Sequence, residues 1–382
     1  MKKTSKNRRN FIIQSSMAAG ALSLGSSFIL ACNGKNKPSE SNEGKAPAAK
    51  KDSLGIALVG LGNYATYQLA PALQKTENCH LAGIVTGTPS KEQVWMSKYD
   101  IPKENVYNYE NYDEIANNDD IDIIYVVLPN FMHAEYTIRA AKAGKHVICE
   151  KPMAISVEEC EQMIAACKEN NVHLSIGYRL HFDPYNLKVS ELGQNEVYGK
   201  VKKITGAHSF KLNDPHAWRA KQDLAGGGPL MDIGIYVLQG AIYTMGENPI
   251  EVSAKYGEVT RPDIFKDVEQ SIDFTLKFPG GATAEATTSY YDTANFLRGE
   301  AEKGWWELKP AYAYSGIEGE TSEEKLTYPP VNQQTLQMDD FAKCVMNNKK
   351  SKVPGEMGLR DMKIITSIYE SADKKETVKI NW

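Results

Sequence analysis

The chain has 382 residues, and its 44 lysines and arginines stand against 48 aspartates and glutamates, for a net charge of −4 at pH 7. This length is enough for two domains with separate hydrophobic cores. The acidic balance argues against a nucleic-acid partner, because binding to phosphates needs an excess of basic side chains.

Residues 1 to 31 have the features of an export signal. Arg8 and Arg9 form a twin-arginine pair, and a mildly apolar run then leads into the lipobox-like letters ILAC. The run is too short to span a bilayer alone, which takes about 20 apolar residues. An ordinary buried helix is the alternative, but it leaves five cations and no acid before residue 32 unexplained. We therefore predict twin-arginine export to the periplasm, with a lipid on Cys32 as the membrane anchor.

Residues 32 to 53 predict a flexible tether, because they contain no branched aliphatic or aromatic side chain. Loss of the five leader cations would leave 39 basic residues against 48 acidic ones, a net charge of −9. The later cysteines show no CxxC or metal-binding spacing, so we expect buried thiols and no metal site. These cysteines are Cys79, Cys149, Cys160, Cys167 and Cys344.

Residues 54 to 177 alternate short apolar strands with helices, which predicts a doubly wound parallel sheet. The first strand, LGIALVG, continues into GLGNYA and then into a helical pattern. Gly60 and Gly62 allow a tight turn and the close approach of a pyrophosphate, and Ala65 permits close helix packing. The turn is completed by Asn63 and Tyr64. We therefore predict a dinucleotide-binding Rossmann domain.

The end of the second strand indicates which dinucleotide binds. NAD-binding domains usually have an acidic residue there to hold the ribose hydroxyls, and none lies between residues 78 and 91. The hydroxyls of Thr86 and Thr88, the amide of Gly87 and the ammonium of Lys91 could instead accept a 2′-phosphate. The alternative is an ordinary turn with a solvated lysine. The pattern favours NADP over NAD.

Two later motifs contain side chains suited to proton transfer. CEKPMA places Glu150 and Lys151 at the carboxyl end of the fifth strand, where an open parallel sheet presents ligands, although a surface ion pair is the alternative. In GGGPLMDIGIY, Asp232 and Tyr236 are four residues apart and share one helical face. Alone they fit a capping acid and a core tyrosine. Together with Lys151 they form a cation, a carboxylate and a phenol that can accept a hydroxyl proton as hydride leaves carbon.

Polar and aromatic side chains near these motifs predict a sugar pocket, because sugars need directional hydrogen bonds and an apolar face. From the segment after the sixth strand we assign Tyr178, His181 and Asp183 to the substrate, together with Lys151, Asp232 and Tyr236. A single histidine or tryptophan in such a segment is more often structural.

The motifs VGLGNYA, LPNFMHAE, AGKHVICEKPMA, IGYRLHFDPYN and WRAKQDLAGGGPLMDIGIY together resemble the glucose-fructose oxidoreductase and inositol dehydrogenase (Gfo/Idh/MocA) family, particularly its glucose-fructose oxidoreductase members. By this resemblance Lys151, Asp232 and Tyr236 take the roles of the family's lysine, helix acid and catalytic tyrosine. It also implies further contacts to the cofactor, from Leu128, Pro129, Asn130, His133, Glu150, Arg179, Trp218 and Arg219.

The resemblance implies a second, α+β domain over residues 178 to 382, with an open-faced, mainly antiparallel sheet that makes contacts in a homodimer or homotetramer. Residues 300 to 320 depart from the family pattern and are rich in aromatic side chains. We expect them to pack in the sheet, with a role in the pocket or in a subunit contact as alternatives.

The function expected from these features is an NADP-dependent sugar oxidoreductase with a tightly bound nicotinamide. A second sugar, a ketose by resemblance, would reoxidise the cofactor in a ping-pong cycle. A redox-assisted glycosidase and a non-catalytic sugar or nucleotide sensor are the alternatives, and the presence of Lys151, Asp232 and Tyr236 together counts against the sensor.

Overall fold

The computed structural model describes residues 51 to 382. The twin-arginine pair, Cys32 and most of the tether therefore lie outside the described residues. Within residues 51 to 382, no helix has both the length and the apolar character needed to cross a membrane.

A six-stranded sheet forms the first domain. Its strands are β1 (Leu54–Val59), β2 (Cys79–Val85), β3 (Val106–Tyr107), β4 (Ile123–Val126), β5 (His146–Cys149) and β6 (Leu174–Ile176). They are parallel and lie in the order β3-β2-β1-β4-β5-β6, which confirms the predicted doubly wound arrangement. All six residues of β1 are buried, as expected for a central strand covered on both faces.

Helices connect these strands. A π-helical turn (Ala65–Leu69) runs into α1 (Ala70–Leu73), followed by α2 (Pro89–Tyr99), α3 (His133–Lys142) and α4 (Val157–Glu169). The Ser156 hydroxyl caps α4 by accepting a hydrogen bond from the Glu159 amide. Short 3-10 turns occupy Lys103–Asn105, Tyr112–Asn117, Asn130–Met132, Arg179–Phe182 and Trp218–Ala220.

The second domain contains a nine-stranded sheet. Its strands are β7 (Val201–Ser209), β8 (Glu251–Tyr256), β9 (Ser271–Lys277), β10 (Thr283–Ser289), β11 (Ala294–Ala301), β12 (Trp305–Leu308), β13 (Gly319–Thr321), β14 (Lys325–Leu326) and β15 (Val378–Lys379). The order is β14-β13-β12-β11-β7-β10-β9-β8-β15, and only β7 and β10 pair in parallel. The sheet is therefore mainly antiparallel, as the family resemblance implies.

The second part of the chain contains helices α5 (Pro184–Gln194), α6 (Gln222–Ala225), α7 (Ile235–Met245), α8 (Gln333–Met346) and α9 (Gly355–Lys374), and a π-helical turn (Leu230–Gly234) precedes α7. Of these, α5, α7 and α9 pack on the sheet. In β9, Ile272, Phe274 and Leu276 are buried while the residues between them are half-buried. This alternation is typical of a sheet with one packed face and one open face.

Helix α8 leaves the second domain and packs on the first. Met338 and Phe341 belong to the hydrophobic core formed with β1 and β2. Between them, the Asp339 carboxylate accepts hydrogen bonds from the amides of Glu77, at 3.0 Å, and Asn78, at 2.7 Å. From the order of elements along the chain, residues 178 to 382 are expected to form the second domain. Helix α8 lies in this range but packs on the first domain instead.

Four of the five described cysteines are buried, namely Cys79, Cys149, Cys160 and Cys167, whereas Cys344 is half-buried. All five are free thiols. Burial raises the pKa of the Cys79 thiol to about 12, with the nearby Asp339 carboxylate adding to the shift. The thiols are therefore poor nucleophiles, since the thiolate is the reactive form.

Candidate active site

A cavity of about 1330 Å³ lies at the carboxyl ends of the first domain's strands, where the second domain covers them. This is the usual ligand position in an open parallel sheet. Its size exceeds the several hundred cubic ångströms typical of a site for one drug-sized ligand. Its lining includes most of the residues predicted for the site: Gly60, Gly62, Asn63, Tyr64, Thr86, Gly87, Thr88, Lys91, Leu128, Pro129, Asn130, Glu150, Lys151, Arg179, Trp218, Arg219, Asp232 and Tyr236.

The turn after β1 has the geometry that a dinucleotide requires. Gly60 has a φ of +93°, and a Cβ there would lie 2.6 Å from the Val127 carbonyl oxygen. A Cβ on Gly62 would meet no protein atom within 4 Å, so this glycine leaves its backbone open to the cavity. An open backbone next to a helix start suits the pyrophosphate of a dinucleotide.

The residues predicted to hold a 2′-phosphate, Thr86, Gly87, Thr88 and Lys91, all line the cavity. The Thr86 hydroxyl accepts a hydrogen bond from the Thr88 amide at 3.1 Å. Lys91 Nζ donates to the Leu61 carbonyl oxygen at 2.7 Å, so this lysine also supports the glycine turn. Two carboxylates, Glu92 and Glu110, line the same cavity.

Lys151 and Asp232 meet at the cavity wall. Lys151 Nζ donates to the Asp232 backbone carbonyl and lies 3.4 Å from its carboxylate Oδ1. The other carboxylate oxygen accepts from Arg219 Nε at 2.9 Å and from the Tyr290 hydroxyl at 3.1 Å. Burial alone would raise the pKa of Asp232, but Arg219 and Lys151 outweigh it and hold this pKa below its usual value. Asp232 is therefore an ionised anchor for two cations.

Tyr236 lies beside two cations. Lys151 Nζ is 4.8 Å from the centre of its ring, and the Arg179 guanidinium is 5.0 Å from it. The structure thus brings Lys151, Asp232 and Tyr236 together as the sequence predicts.

Glu150 forms a buried part of the cavity wall. Its Oε1 accepts from the Tyr125 hydroxyl at 2.8 Å, and a Cβ on Gly177 would lie 2.6 Å from the same oxygen. Burial raises the pKa of Glu150 above its usual value, although the Tyr125 hydrogen bond and Lys151 oppose this shift.

Arg179 lines the cavity, but its guanidinium is bonded to protein groups. It donates to the carbonyl oxygens of Tyr312, at 2.6 Å, and Ala313, at 3.0 Å, and to the Gln333 side chain. It also stacks on the Tyr314 ring at 4.3 Å. Arg179 therefore holds the segment 312 to 314 against the cavity.

Several predicted site residues do not line the cavity. Ala65 is buried at the start of its helical turn. Both ring nitrogens of His133 lie 2.8 Å from backbone carbonyls, those of Pro152 and Leu128. His133 thus links the backbone that follows β4 to the backbone that follows β5.

The three substrate residues predicted after the sixth strand also have structural partners. The Tyr178 hydroxyl donates to Asp361 at 2.6 Å, and His181 Nε2 donates to Gln239 at 2.7 Å. Asp183 caps α5 by accepting from the amides at its start. None of the three lines the cavity. Their clustering in the sequence reflects a turn packed into the core, which residue type alone does not distinguish from a pocket.

Among the cavity residues absent from the sequence-based assignments are His208, Asn295, Tyr312 and Tyr314. The Asn295 side chain accepts from the amides of Ala311 and Tyr312, both at 2.8 Å. Residues 300 to 320 therefore both pack in the core, through Trp306, and line the cavity. Their aromatic content was the signal in the sequence, and the structure combines the expected packing with the alternative role in the pocket.

One cavity contains both the open glycine turn after β1 and the group of Lys151, Asp232 and Tyr236. Together these features define a dinucleotide-dependent oxidoreductase. Family comparisons agree: residues 54–178 match the GFO/IDH/MocA oxidoreductase family with its NAD-binding Rossmann fold, and residues 186–303 match a GFO/IDH/MocA C-terminal domain. The chain belongs to the GFO/IDH/MocA oxidoreductase family.

Two individual relatives match this chain over nearly their whole length, and a third matches over about half. The crystal structure of an aldose-aldose oxidoreductase from Caulobacter crescentus is 41% identical with a TM-score of 0.84, over 86% of this chain and 99% of that one. A D-xylose 1-dehydrogenase [NADP(+)] from Haloarcula marismortui is 28% identical over 87% of this chain and 95% of its own. A levoglucosan dehydrogenase from Pseudarthrobacter phenanthrenivorans is 32% identical over 50% of this chain and 56% of its own.

Proposed function

We propose that this protein is an NADP-dependent sugar oxidoreductase that retains its nicotinamide and passes hydride from one sugar to another. The observation that carries the proposal is that Lys151, Asp232 and Tyr236 lie together in the cavity that also contains the open glycine turn at Gly62. The similarity to an aldose-aldose oxidoreductase and to an NADP-dependent xylose dehydrogenase supports sugars as substrates.

The residues fit the dinucleotide, since Gly62 leaves room beside the turn and the cavity continues to Thr86, Thr88 and Lys91. When bound, the nicotinamide supplies a hydride acceptor and, once reduced, a hydride donor. In this step the Tyr236 phenolate accepts the proton of the sugar hydroxyl as that carbon loses hydride, and becomes a neutral phenol. Lys151 stabilises the negative charge on the phenol oxygen, and Asp232 holds Lys151 in place.

The second half of the cycle uses the same side chains in reverse. Tyr236 returns its proton to the carbonyl oxygen of an acceptor sugar as the acceptor's carbon gains hydride. Electrons and protons then balance over the two sugars, and kinetics of the ping-pong type follow because the first product leaves before the acceptor binds. The similarity to an aldose-aldose oxidoreductase makes an aldose the first acceptor to test, beside the ketose implied by the family resemblance.

Two further parts of the proposal concern the whole protein. Twin-arginine export moves folded proteins, so the chain could close on NADP in the cytosol and carry it to a periplasm without a nicotinamide pool. The open face of the second sheet is proposed as the contact between subunits of a homo-oligomer.

The test is a two-sugar assay without added nucleotide. Purified protein is mixed with a panel of aldoses and sugar alcohols, and the absorbance of reduced nicotinamide is followed. We expect one sugar to reduce the bound cofactor and a second sugar to reoxidise it, with an oxidised and a reduced product in equal amounts. Cleavage of an aryl glycoside instead would favour the redox-assisted glycosidase, and no change with any sugar would contradict the proposal.

A further inference from the structure

His208 occupies a position in the cavity wall between two tyrosines. Its ring centre lies 5.4 Å from that of Tyr236 and 5.0 Å from that of Tyr312. Side chains alternate along a strand, so His208 shares a face of β7 with Gly206. A Cβ on Gly206 would lie 2.8 Å from Val237 and 3.3 Å from the Tyr312 hydroxyl. His208 therefore faces α7, the helix that carries Tyr236, and Gly206 leaves room for Tyr312 to lie against it.

The protein does not fully satisfy the hydrogen-bonding capacity of this imidazole. Its Nδ1 is buried without a hydrogen-bond partner among the described residues. His133 and His181 differ, because each has a ring nitrogen 2.7 to 2.8 Å from a protein oxygen. A phenylalanine would make the same ring contacts without desolvating a polar group. The presence of a histidine at this position is explained if its other ring nitrogen, Nε2, forms a hydrogen bond with a ligand in the cavity.

The charge state of the ring suits an uncharged partner. Burial, and then the nearby Lys151, lower the pKa of His208 to about 4, so the imidazole is neutral at neutral pH. A neutral imidazole has one N–H donor. With the proton on Nε2, the ring presents its donor away from the buried Nδ1. The ring can then donate to a hydroxyl oxygen without adding a third cation beside Lys151 and Arg179.

We propose that His208 determines specificity in the sugar site by donating a hydrogen bond to a sugar hydroxyl other than the one that is oxidised. The inference rests on the proposed function, since it assigns a contact to the substrate of the same site. His208 is not required for the proton transfer, which belongs to Tyr236.

The test compares His208→Phe, which keeps the ring, with His208→Gln, whose side-chain amide can reach a similar donor position. Both are assayed with glucose, or the best aldose of the panel, and with its full set of monodeoxy analogues. We expect His208→Phe to raise KM about tenfold or more with a smaller change in kcat, and His208→Gln to recover most of the loss. With one monodeoxy analogue, the parent and His208→Phe should have the same kcat/KM.

Bound nucleotide and melting temperature show whether each variant is folded, and His208→Leu replaces His208→Phe if that variant does not fold. Unchanged kinetics with every sugar, or an equal loss with every analogue, would overturn the inference and leave the ring a packing role. A parent protein that acts on no sugar would contradict the proposed function itself. A parent active on sugars with an unaffected His208→Phe variant would contradict this inference alone.

Discussion

Asp232 shows at the scale of one residue how the site is organised. Its carboxylate is held by Arg219 and Tyr290 on one oxygen, while Lys151 lies near the other. Because these partners keep its pKa low, Asp232 stays ionised at neutral pH and is a poor proton donor. We therefore expect Tyr236, which has Lys151 beside its ring, to transfer the proton.

Tyr236→Phe tests this assignment. The variant keeps the ring contacts with Lys151, Arg179 and His208 but loses the oxygen that accepts the proton. We expect turnover to fall by about a hundredfold or more, with little change in melting temperature or bound nucleotide. Single-turnover reduction of the nicotinamide by sugar measures the step directly. A variant with parental turnover would mean that another group takes the proton.

Lys91→Ala tests the choice between NADP and NAD. If the Lys91 ammonium meets a 2′-phosphate, its loss should weaken NADP binding about tenfold and NAD binding much less. Lys98→Ala, on the same helix but not lining the cavity, is the control. Binding is measured by titrating nucleotide into protein from which it has been removed. Equal losses for both nucleotides would mean that Lys91 only supports the turn through its hydrogen bond to Leu61. Glu92 or Glu110 would then be the candidates for holding the ribose hydroxyls of NAD.

At the scale of elements, the start of α8 and the segment 312 to 314 both reach the glycine turn of the first domain. Gln333 bonds Arg179, and Gln334 Nε2 donates to the Tyr64 hydroxyl at 3.5 Å. Tyr314, held by Arg179, stacks on Tyr64 with ring centres 5.9 Å apart. The glycine turn of the first domain is thereby covered by parts of the chain that are far away in sequence.

Tyr314→Ala should loosen this cover and speed release of the nucleotide. An aromatic pair contributes about 0.5–1.5 kcal/mol, so we expect release to be roughly three- to tenfold faster. Tyr291→Ala, which removes another exposed tyrosine of the second domain, is the control. Release is followed by the fluorescence of the reduced nicotinamide after excess competitor is added. Equal release from parent and variant would show that Tyr314 does not retain the cofactor.

Helix α8 should also stabilise the first domain through Asp339. Asp339→Ala leaves the amides of Glu77 and Asn78 without their acceptor, and we expect it to lower the free energy of unfolding by about 2 kcal/mol. Asp340→Ala, its half-buried neighbour, should change it by less than about 0.5 kcal/mol. Denaturant unfolding compares the two, and equal effects would refute the role of Asp339.

These elements mark how far the sequence predicts the structure. The alternation of apolar strands with helices is a local signal, and it predicted the parallel sheet and the residues at its strand ends, including Lys151. The return of α8 to the first domain and the contact of Tyr314 with Tyr64 depend on long-range packing, which has no local pattern. The same limit explains why His181 was assigned to the pocket while His208, at the end of a plain alternating strand, was not.

At the scale of the whole molecule, the two domains enclose one cavity that is large enough for a dinucleotide and a sugar together. An exported enzyme would have no nicotinamide pool to draw on, so its cofactor has to leave the cytosol with it and be restored in each cycle. We therefore propose that the export signal predicted over residues 1 to 31 and the cavity between the domains belong together, with the nicotinamide acting as a prosthetic group.

The most direct test of this account is the nucleotide content of the protein. Freshly purified full-length protein is dialysed extensively and denatured, and the released nucleotide is identified and quantified. We expect a near-stoichiometric amount of NADP, oxidised or reduced, and sugar-to-sugar transfer without added cofactor. Protein that releases no nucleotide, and that turns over only when NADP is supplied, would contradict it and define a dehydrogenase with a dissociable cofactor.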